Sequence, residues 1–276
     1  MINKINTFGS YLLNGKFTKL LAFSLALIFS FNVGAQDAAE VPAVSGEVAY
    51  ILNTFLFLVC GFLVMFMAAG FCMLEAGQVR SKNTAVICLK NIGLFSIAGF
   101  MYYLVGYNLM YDGVDGGYIG SFSMFDRSSE VDLETGYAAA SDWYFQMVFV
   151  ATTASIVSGA LAERILIWPF FLFTAILTAF IYPIAGSWQW GGGWLSEMGF
   201  SDFAGSTLVH SVGGYAALAG AILLGARDGK YSADGKVNVI GGCSLPMTTL
   251  GVFILWLGWF GFNGGSQLAL GSGADA

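Results

Sequence analysis

The sequence predicts an all-α polytopic membrane protein. Hydrophobic residues make up 57% of the 276 residues, charged residues make up 10%, and the mean hydropathy is +0.73. Soluble proteins carry about 25% charged residues, so this composition belongs in lipid. Six apolar stretches are long enough to cross a hydrocarbon core of about 30 Å, and no alternating barrel pattern occurs. Each stretch is expected to be a helix, because lipid offers no partners for exposed backbone amides.

The amino-terminal segment is predicted to be a signal peptide covering residues 1–35. Lys4, Lys16 and Lys19 precede the apolar run LLAFSLALIFSF, and Val33-Gly34-Ala35 stands before a polar stretch. This is the order of a secretory signal with a small-residue cleavage site. The alternative is a retained transmembrane helix, which the short run disfavours because a span needs about 20 residues. Residues 36–47 would then form a periplasmic N-terminal segment.

The six predicted spans follow in order. They cover residues 48–73, 85–110, 138–160, 165–187, 203–226 and 245–269. The loops after the first, third and fifth spans carry six cations, which are Arg80, Lys82, Arg164, Arg227, Lys230 and Lys236. Because cytoplasmic loops are enriched in Lys and Arg, these three loops are expected on the cytoplasmic side.

The opposite face is expected to hold the mature N-terminus and the acidic loop of residues 111–141. An outer vestibule rich in carboxylates would raise the local concentration of small cations, although an ordinary polar loop explains the same composition. Lys90 is the one cation predicted inside a span. We expect it to extend its ammonium group towards the cytoplasmic end of the second helix rather than to line a pathway.

Several function classes are disfavoured by the sequence. No basic patch suits nucleic acid. The motifs H-E-x-x-H and G-x-S-x-G and a phosphate loop are missing, and a single histidine cannot build a metal site or a triad with a second one. The four cysteines have irregular spacing in apolar segments, as small buried hydrophobes do. Neither an enzyme nor a metal or organic cofactor is therefore predicted.

The third and sixth spans hold aromatic residues at helical spacing. Phe145 and Phe149 are four residues apart in DWYFQMVFVATTASIVSGALAER and so share one helix face. In LGWFGFNGGS, Trp259, Phe262 and Ser266 fall on one side of the helix, while the glycines permit close backbone approach. Aromatic pairs at this spacing are more often packing than function, so the pattern alone leaves their role open.

The fifth span contains the only histidine of the chain, in FAGSTLVHSVGGYAALAG. Asp202 directly precedes the apolar run, as an N-cap would, and can accept hydrogen bonds from backbone N–H groups. At a rise of ~1.5 Å per residue, His210 would lie about 10 Å inside the helix. Such a ring either donates one hydrogen bond across a helix interface or faces a pathway, and the spacing does not separate these interpretations.

Four separated segments together resemble the ammonium transporter (Amt/Mep/Rh) family. They are DWYFQMVFVATTASIVSGALAERI, WGGGW, DFAGSTLVH and LGWFGFNGGS, they occur in the family's order, and the similarity runs over residues 48–276. The resemblance implies a channel-like transporter of ammonium or methylammonium in the bacterial inner membrane. It also implies a homotrimer and a cytosolic regulatory protein as partners.

The resemblance also implies roles for individual residues. Trp190, Phe145, Phe149 and Ser266 match an outer site that recruits ammonium, where deprotonation follows. Phe149 and Phe262 match two stacked rings that close the pore below that site. His210 matches the first of two pore-lining histidines, which are thought to relay the proton. Asp202 matches an aspartate near the site whose role is mainly structural.

The family fold implied by the resemblance has eleven spans in two inverted five-helix repeats. The chain is expected to hold the first repeat and the first helix of the second, so that the second pore histidine would lie in a later span. An ammonium sensor with a soluble signalling domain is the alternative function.

Overall fold

The structure is a computed structural model that describes residues 44–126 and 131–276. The predicted signal peptide, residues 36–43 and Arg127 lie outside the described residues. Within the described ranges the regular structure is helical, apart from an isolated bridge between Tyr231 and Val237. The prediction of an all-α membrane protein is therefore confirmed.

Six helices are long and apolar enough to cross a membrane. They are α1 (Gly46–Gln78), α2 (Ser81–Tyr111), α3 (Ala139–Leu161), α4 (Ile167–Ser187), α5 (Ser206–Leu224) and α6 (Leu245–Gly265). Each matches one predicted span. The largest difference is at the end of α1, which continues past residue 73 to Gln78 and brings Glu75 into the helix.

The third helix is the centre of the bundle. In its most apolar window 78% of the residues are buried, against 22–39% in the other five helices. Helix α3 packs against α1, α2 and α5. Two hydroxyls on this buried helix are satisfied within it, since Thr152 and Ser155 each donate to the carbonyl four residues earlier. A helix surrounded on all sides can hold apolar residues on every face.

Helices α1 and α6 make the closest pair, along a seam of glycines seven residues apart in α6. A Cβ atom at Gly251 would lie 2.4 Å from the backbone nitrogen of Leu74, and one at Gly258 would lie 2.0 Å from Cγ of Met67. At Gly265 the added atom would lie 2.5 Å from Cζ of Phe145 in α3. The seam therefore allows backbone contact between the two helices and leaves room for a ring of the outer site.

Three helices contain a π-helical segment. The segments are Tyr102–Gly106 in α2, Leu177–Ile181 in α4 and Ser206–Ser211 at the start of α5. The first two pack against each other. The third contains His210. Segments of this kind are frequent at functional sites because they redirect side chains within a helix.

Lys90 does not extend its ammonium group to the first turn of α2, the end predicted to be cytoplasmic, so that prediction is wrong. The residue is 4% exposed, and its Nζ lies 3.1 Å from Oε2 of Glu75 and donates to the carbonyl of Ser158 at 2.8 Å. The ammonium group also lies 5.2 Å from the ring centre of Phe170. The partner carboxylate comes from the part of α1 beyond the predicted span, which removes the need for Lys90 to reach water.

A single carboxylate joins the three loops that carry the cations. Oε1 of Glu163, after α3, lies 3.0 Å from Nε of Arg80, between α1 and α2, and accepts a hydrogen bond from the side-chain amide of Asn83, in the first turn of α2. Oε2 of Glu163 lies 3.3 Å from Nη1 of Arg227, after α5. These three loops therefore meet on one side of the bundle, as the cation pattern predicts.

Candidate functional site

A cavity of about 540 Å³ opens at the opposite end of the bundle from Glu163. It lies between the end of α2, the start of α3, the end of α6 and the adjoining loops. Its aromatic lining consists of Tyr107, Tyr111, Tyr137, Phe145, Phe149, Trp190 and Phe203. We call it the outer cavity.

All four residues that the resemblance assigns to recruitment line the outer cavity: Phe145, Phe149, Trp190 and Ser266. The ring centres of Phe145 and Phe149 are 4.9 Å apart, and those of Phe149 and Trp190 are 5.9 Å apart, both edge to face. The hydroxyl of Ser266 donates to the carbonyl of Phe262 at 2.6 Å, which leaves its oxygen free to act as an acceptor.

Below the cavity the aromatic contacts continue to the histidine. The ring centres of Phe149 and Phe262 are 6.2 Å apart with 77° between the planes, and those of Phe262 and His210 are 5.7 Å apart. The two phenyl rings, which the resemblance describes as stacked, meet edge to face in this chain. Trp190, Phe149, Phe262 and His210 therefore form one continuous series of ring contacts.

The histidine lies in the first turn of α5. That helix begins at Ser206, so the depth of His210 below the helix start is about 6 Å, less than the 10 Å expected from the sequence. Nδ1 lies 3.0 Å from the carbonyl oxygen of Gly205. Because a carbonyl only accepts, this contact is a hydrogen bond in the tautomer that carries its hydrogen on Nδ1, which leaves the lone pair on Nε2. The side chain is exposed on the surface of the described chain, beside Phe262.

Asp202 holds the start of α5 from three residues before Gly205, which is the residue at the N-cap position. Its carboxylate accepts four backbone N–H groups at 2.8–3.0 Å, from Gly205, Ser206, Thr207 and Leu208. Its backbone carbonyl accepts the indole N–H of Trp190 at 2.6 Å. One residue therefore positions both the helix that carries His210 and the indole of the outer cavity.

Gly205 completes this arrangement because its conformation and its surroundings both require a glycine. Its φ is +93°, in the left-handed region. A Cβ atom here would lie 2.4 Å from Cγ2 of Val209 and 3.2 Å from Cη2 of Trp190. The turn between Asp202 and α5 can therefore close only with this residue.

Most polar residues of the outer cavity were not identified from the sequence, and three of these interact with one another: Asp142, Gln146 and Tyr107. The carboxylate of Asp142 accepts a hydrogen bond from the Tyr107 hydroxyl and another from Nε2 of Gln146 at 3.3 Å. The four-residue spacing of Asp142 and Gln146 is a signal that was available, since it places both on one helix face. Tyr107 lies on α2, so its hydrogen bond to Asp142 becomes visible only once α2 is packed against α3.

Tyr137 supplies a neutral hydroxyl at the rim of the outer cavity. Burial, and to a smaller extent the negative charge of Asp142, raises the pKa of Tyr137 to about 12. The phenol is therefore protonated at neutral pH. The ring centre of Tyr137 lies 4.8 Å from that of Phe57, so this part of the rim packs against α1.

Comparisons with known proteins agree with this fold. A family model described as Ammonium Transporter Family matches residues 55–276. The ammonium transporter Amt2 of Archaeoglobus fulgidus is 46% identical over 246 residues, which cover 86% of this chain and 50% of the relative. The chain thus spans about half the length of this relative.

Solved structures give the same picture. A structure described as Sensor Amt Protein superposes with a TM-score of 0.76 at 40% identity, over 82% of this chain and 57% of that chain. The crystal structure of Candida albicans Mep2 superposes with a TM-score of 0.70 at 29% identity, over 82% of this chain and 51% of that chain.

Proposed function

Because the chain belongs to the ammonium transporter family, we propose that it takes part in moving ammonium or ammonia across a membrane. Ammonium is recruited and deprotonated at the outer cavity, and neutral ammonia passes along a hydrophobic path beside His210. The observation that carries this proposal is the continuous series of rings from Trp190 through Phe149 and Phe262 to His210.

Recruitment rests on the aromatic lining. A cation over an indole or phenyl face gains about 0.5–2 kcal/mol, more as water is removed. Phe145, Phe149 and Trp190 surround the cavity with such faces, and Ser266 adds a hydroxyl oxygen that can accept an N–H of the substrate. Methylammonium keeps the positive charge and the N–H donors, so it is expected to bind in the same way.

Passage rests on the change from a charged to a neutral species. A charged ion cannot cheaply enter a dry, narrow apolar path, but ammonia can enter if a hydrogen-bonding group meets it there. In this proposal Phe149 and Phe262 are the gate, and their rings must move aside for the substrate. Nε2 of His210, which keeps its lone pair, accepts an N–H from the ammonia beyond the gate and takes part in the proton relay.

Partners and orientation are further parts of the proposal. Cations lie on the side of the bundle where Glu163 binds Arg80 and Arg227, so this side is assigned to the cytoplasm and the outer cavity to the periplasm. We assign the protein to the bacterial inner membrane as a homotrimer, with a cytosolic regulatory protein on the cation-rich side. In the family the second histidine lies in a later span than the six described for this chain.

Uptake of radiolabelled methylammonium by cells that produce the protein tests the proposal. Trp190→Leu removes the indole and should raise KM by about two- to thirty-fold, the equivalent of the cation–π energy. His210→Ala should lower the maximal rate. Trp168→Leu, which changes an indole that is 77% exposed, is the matched control and should leave uptake unchanged. Uptake that survives Trp190→Leu and His210→Ala together, with rate and selectivity intact, would refute the pore assignment.

A sensor is the second candidate, because one of the superposed structures is described as Sensor Amt Protein. In that case the outer cavity binds ammonium, and binding changes the conformation of the protein without net uptake. The same cells distinguish the two functions. A sensor binds methylammonium with dependence on Trp190 but accumulates none, whereas a transporter does both.

A further inference from the structure

The outer cavity contains a carboxylate that none of the recruitment assignments includes. We propose that Asp142, with Gln146 beside it, is a specificity-determining pair that holds the ammonium ion by charge and by hydrogen bonds to its N–H groups. This inference rests on the proposed function of the outer cavity and extends it from aromatic attraction to a defined set of acceptors.

The first argument is the position of the carboxylate. Asp142 is 6% exposed and lies one turn before Phe145 and two turns before Phe149 on α3. All three residues line the same cavity, as do Tyr107 and Tyr111. Buried carboxylates are rare unless they are paired. No Lys or Arg pairs with Asp142 among the ion pairs of the described residues.

The second argument is the set of hydrogen bonds that Asp142 already has. Oδ2 accepts from the Tyr107 hydroxyl, and Oδ1 accepts from Nε2 of Gln146 at 3.3 Å. These two donors fix the orientation of the carboxylate. An ionised carboxylate has about four acceptor sites, so roughly two remain for a ligand in the cavity.

The third argument is an independent one and concerns Gln146. Its Oε1 is buried and has no hydrogen-bond partner among the described residues, although the side chain lines the cavity and is 8% exposed. A buried amide oxygen without a partner has lost its hydrogen bonds to water and gained none in return. A ligand that donates hydrogen bonds into the cavity removes this cost.

The chemistry of the substrate fits these groups. Ammonium carries one positive charge and four N–H donors, and methylammonium keeps the charge and three of the donors. Asp142 offers negative charge and free acceptor sites, Gln146 offers an unpaired acceptor, and the aromatic rings cover the remaining sides. A cation without N–H donors, such as tetramethylammonium, uses the charge and the rings but leaves Oε1 of Gln146 unpaired.

Binding of radiolabelled methylammonium to the purified full chain in lipid nanodiscs tests the pair, with ammonium chloride as the displacing ligand. Asp142→Asn keeps the shape and removes the charge, and should weaken binding by about ten-fold or more, the usual size of a hydrogen bond to a charged group. Glu197→Gln is the matched control, because it removes the same charge from an exposed residue that does not line the cavity.

Gln146→Met is the second variant and keeps the test valid if Asp142→Asn does not fold. It should weaken methylammonium several-fold and leave tetramethylammonium unchanged. If either folded variant binds methylammonium within two-fold of the wild-type affinity, the inference is overturned. In that case, a loss of methylammonium affinity in Trp190→Leu would still support the recruitment function. A wild-type protein that binds no methylammonium would instead refute recruitment itself, and the inference with it.

Discussion

The ammonium group of Lys90 lies 3.1 Å from the carboxylate of Glu75, in the interior of the helix bundle. Both side chains are at most 4% exposed, and the carboxylate also accepts a hydrogen bond from the Ser158 hydroxyl at 2.8 Å. The ion pair and the Ser158 hydroxyl therefore connect α1, α2 and α3 through polar groups that are buried in the bundle. Such a pair tolerates the loss of both members far better than the loss of one.

Removing one partner of this ion pair should destabilise the fold strongly. We expect Lys90→Met or Glu75→Gln each to lower the free energy of unfolding by roughly 3–5 kcal/mol, because a buried charge or polar group is left without its partner. The double variant should lose much less than the sum. Unfolding by sodium dodecyl sulfate in mixed micelles measures all three as a double-mutant cycle. Lys82→Met, which changes an exposed lysine in the first turn of α2, is the control. Additive losses would contradict a direct coupling.

The Glu163 cluster should make stability depend on acidic pH. Burial opposes ionisation of Glu163, but the backbone N–H of Arg80, the amide of Asn83 and the Arg80 guanidinium outweigh it and lower its pKa. A lowered folded-state pKa gives a stabilisation that is fully present above the ordinary value of about 4.3 and is lost as pH falls through the folded value.

Glu163→Gln should therefore lower the melting temperature at neutral pH and flatten its decline below the ordinary glutamate pKa. Thermal unfolding followed by tryptophan fluorescence across this pH range is the measurement. Glu134→Gln changes an exposed glutamate on the acidic loop and should keep the decline of the wild type. An equally steep acid decline in Glu163→Gln would show that other groups cause it.

The seam between α1 and α6 predicts opposite effects for two glycines of one helix. Gly251→Ala places a methyl group 2.4 Å from a backbone nitrogen of α1, so the helices must separate, which costs about 1–3 kcal/mol. Gly264→Ala meets no atom within 4 Å and should be neutral or stabilise the helix by a few tenths of a kcal/mol. Unfolding in mixed micelles compares the two. Equal stability of both variants would exclude a tight seam.

Loss of the Asp202 carboxylate should loosen the start of α5. Asp202→Ala leaves four backbone N–H groups without their acceptor, and we expect a loss of stability at or above the upper end of the 0.5–2 kcal/mol typical of an N-cap. Hydrogen exchange at Ser206, Thr207 and Leu208 should become faster, while exchange in α3 is unchanged. Unaltered protection of these amides would mean that the helix start is held by other contacts.

The spans could be predicted from the sequence because apolar length alone defines them, and the six helices agree with that reading. The aromatic site could be located because Phe145 and Phe149 share a helix face and because the motifs resemble a known family. The structure adds that Trp190 and Ser266, far apart in sequence, line the same cavity as these rings.

The polar interior could not be predicted in the same way, since its partners come from different helices. The sequence predicts Lys90 near the end of its helix. Its partner Glu75 gives no signal, because it lies beyond residue 73, where the first predicted span ends. Asp142 is in the first turn of α3, where an acid usually interacts favourably with the helix dipole. Only the packing of α2 against α3 shows that Tyr107 directs this carboxylate into a cavity.

The carboxylate that joins three loops has a consequence for biogenesis. A nascent chain leaves the ribosome from its amino terminus, so Arg80, Asn83 and Glu163 are all synthesised before α4. Arg227 is synthesised only after α4 and α5, so its contact with the second carboxylate oxygen cannot form earlier. The ion pair with Arg227 therefore ties the loop that follows α3 to a residue that becomes available only once the fifth helix has been made.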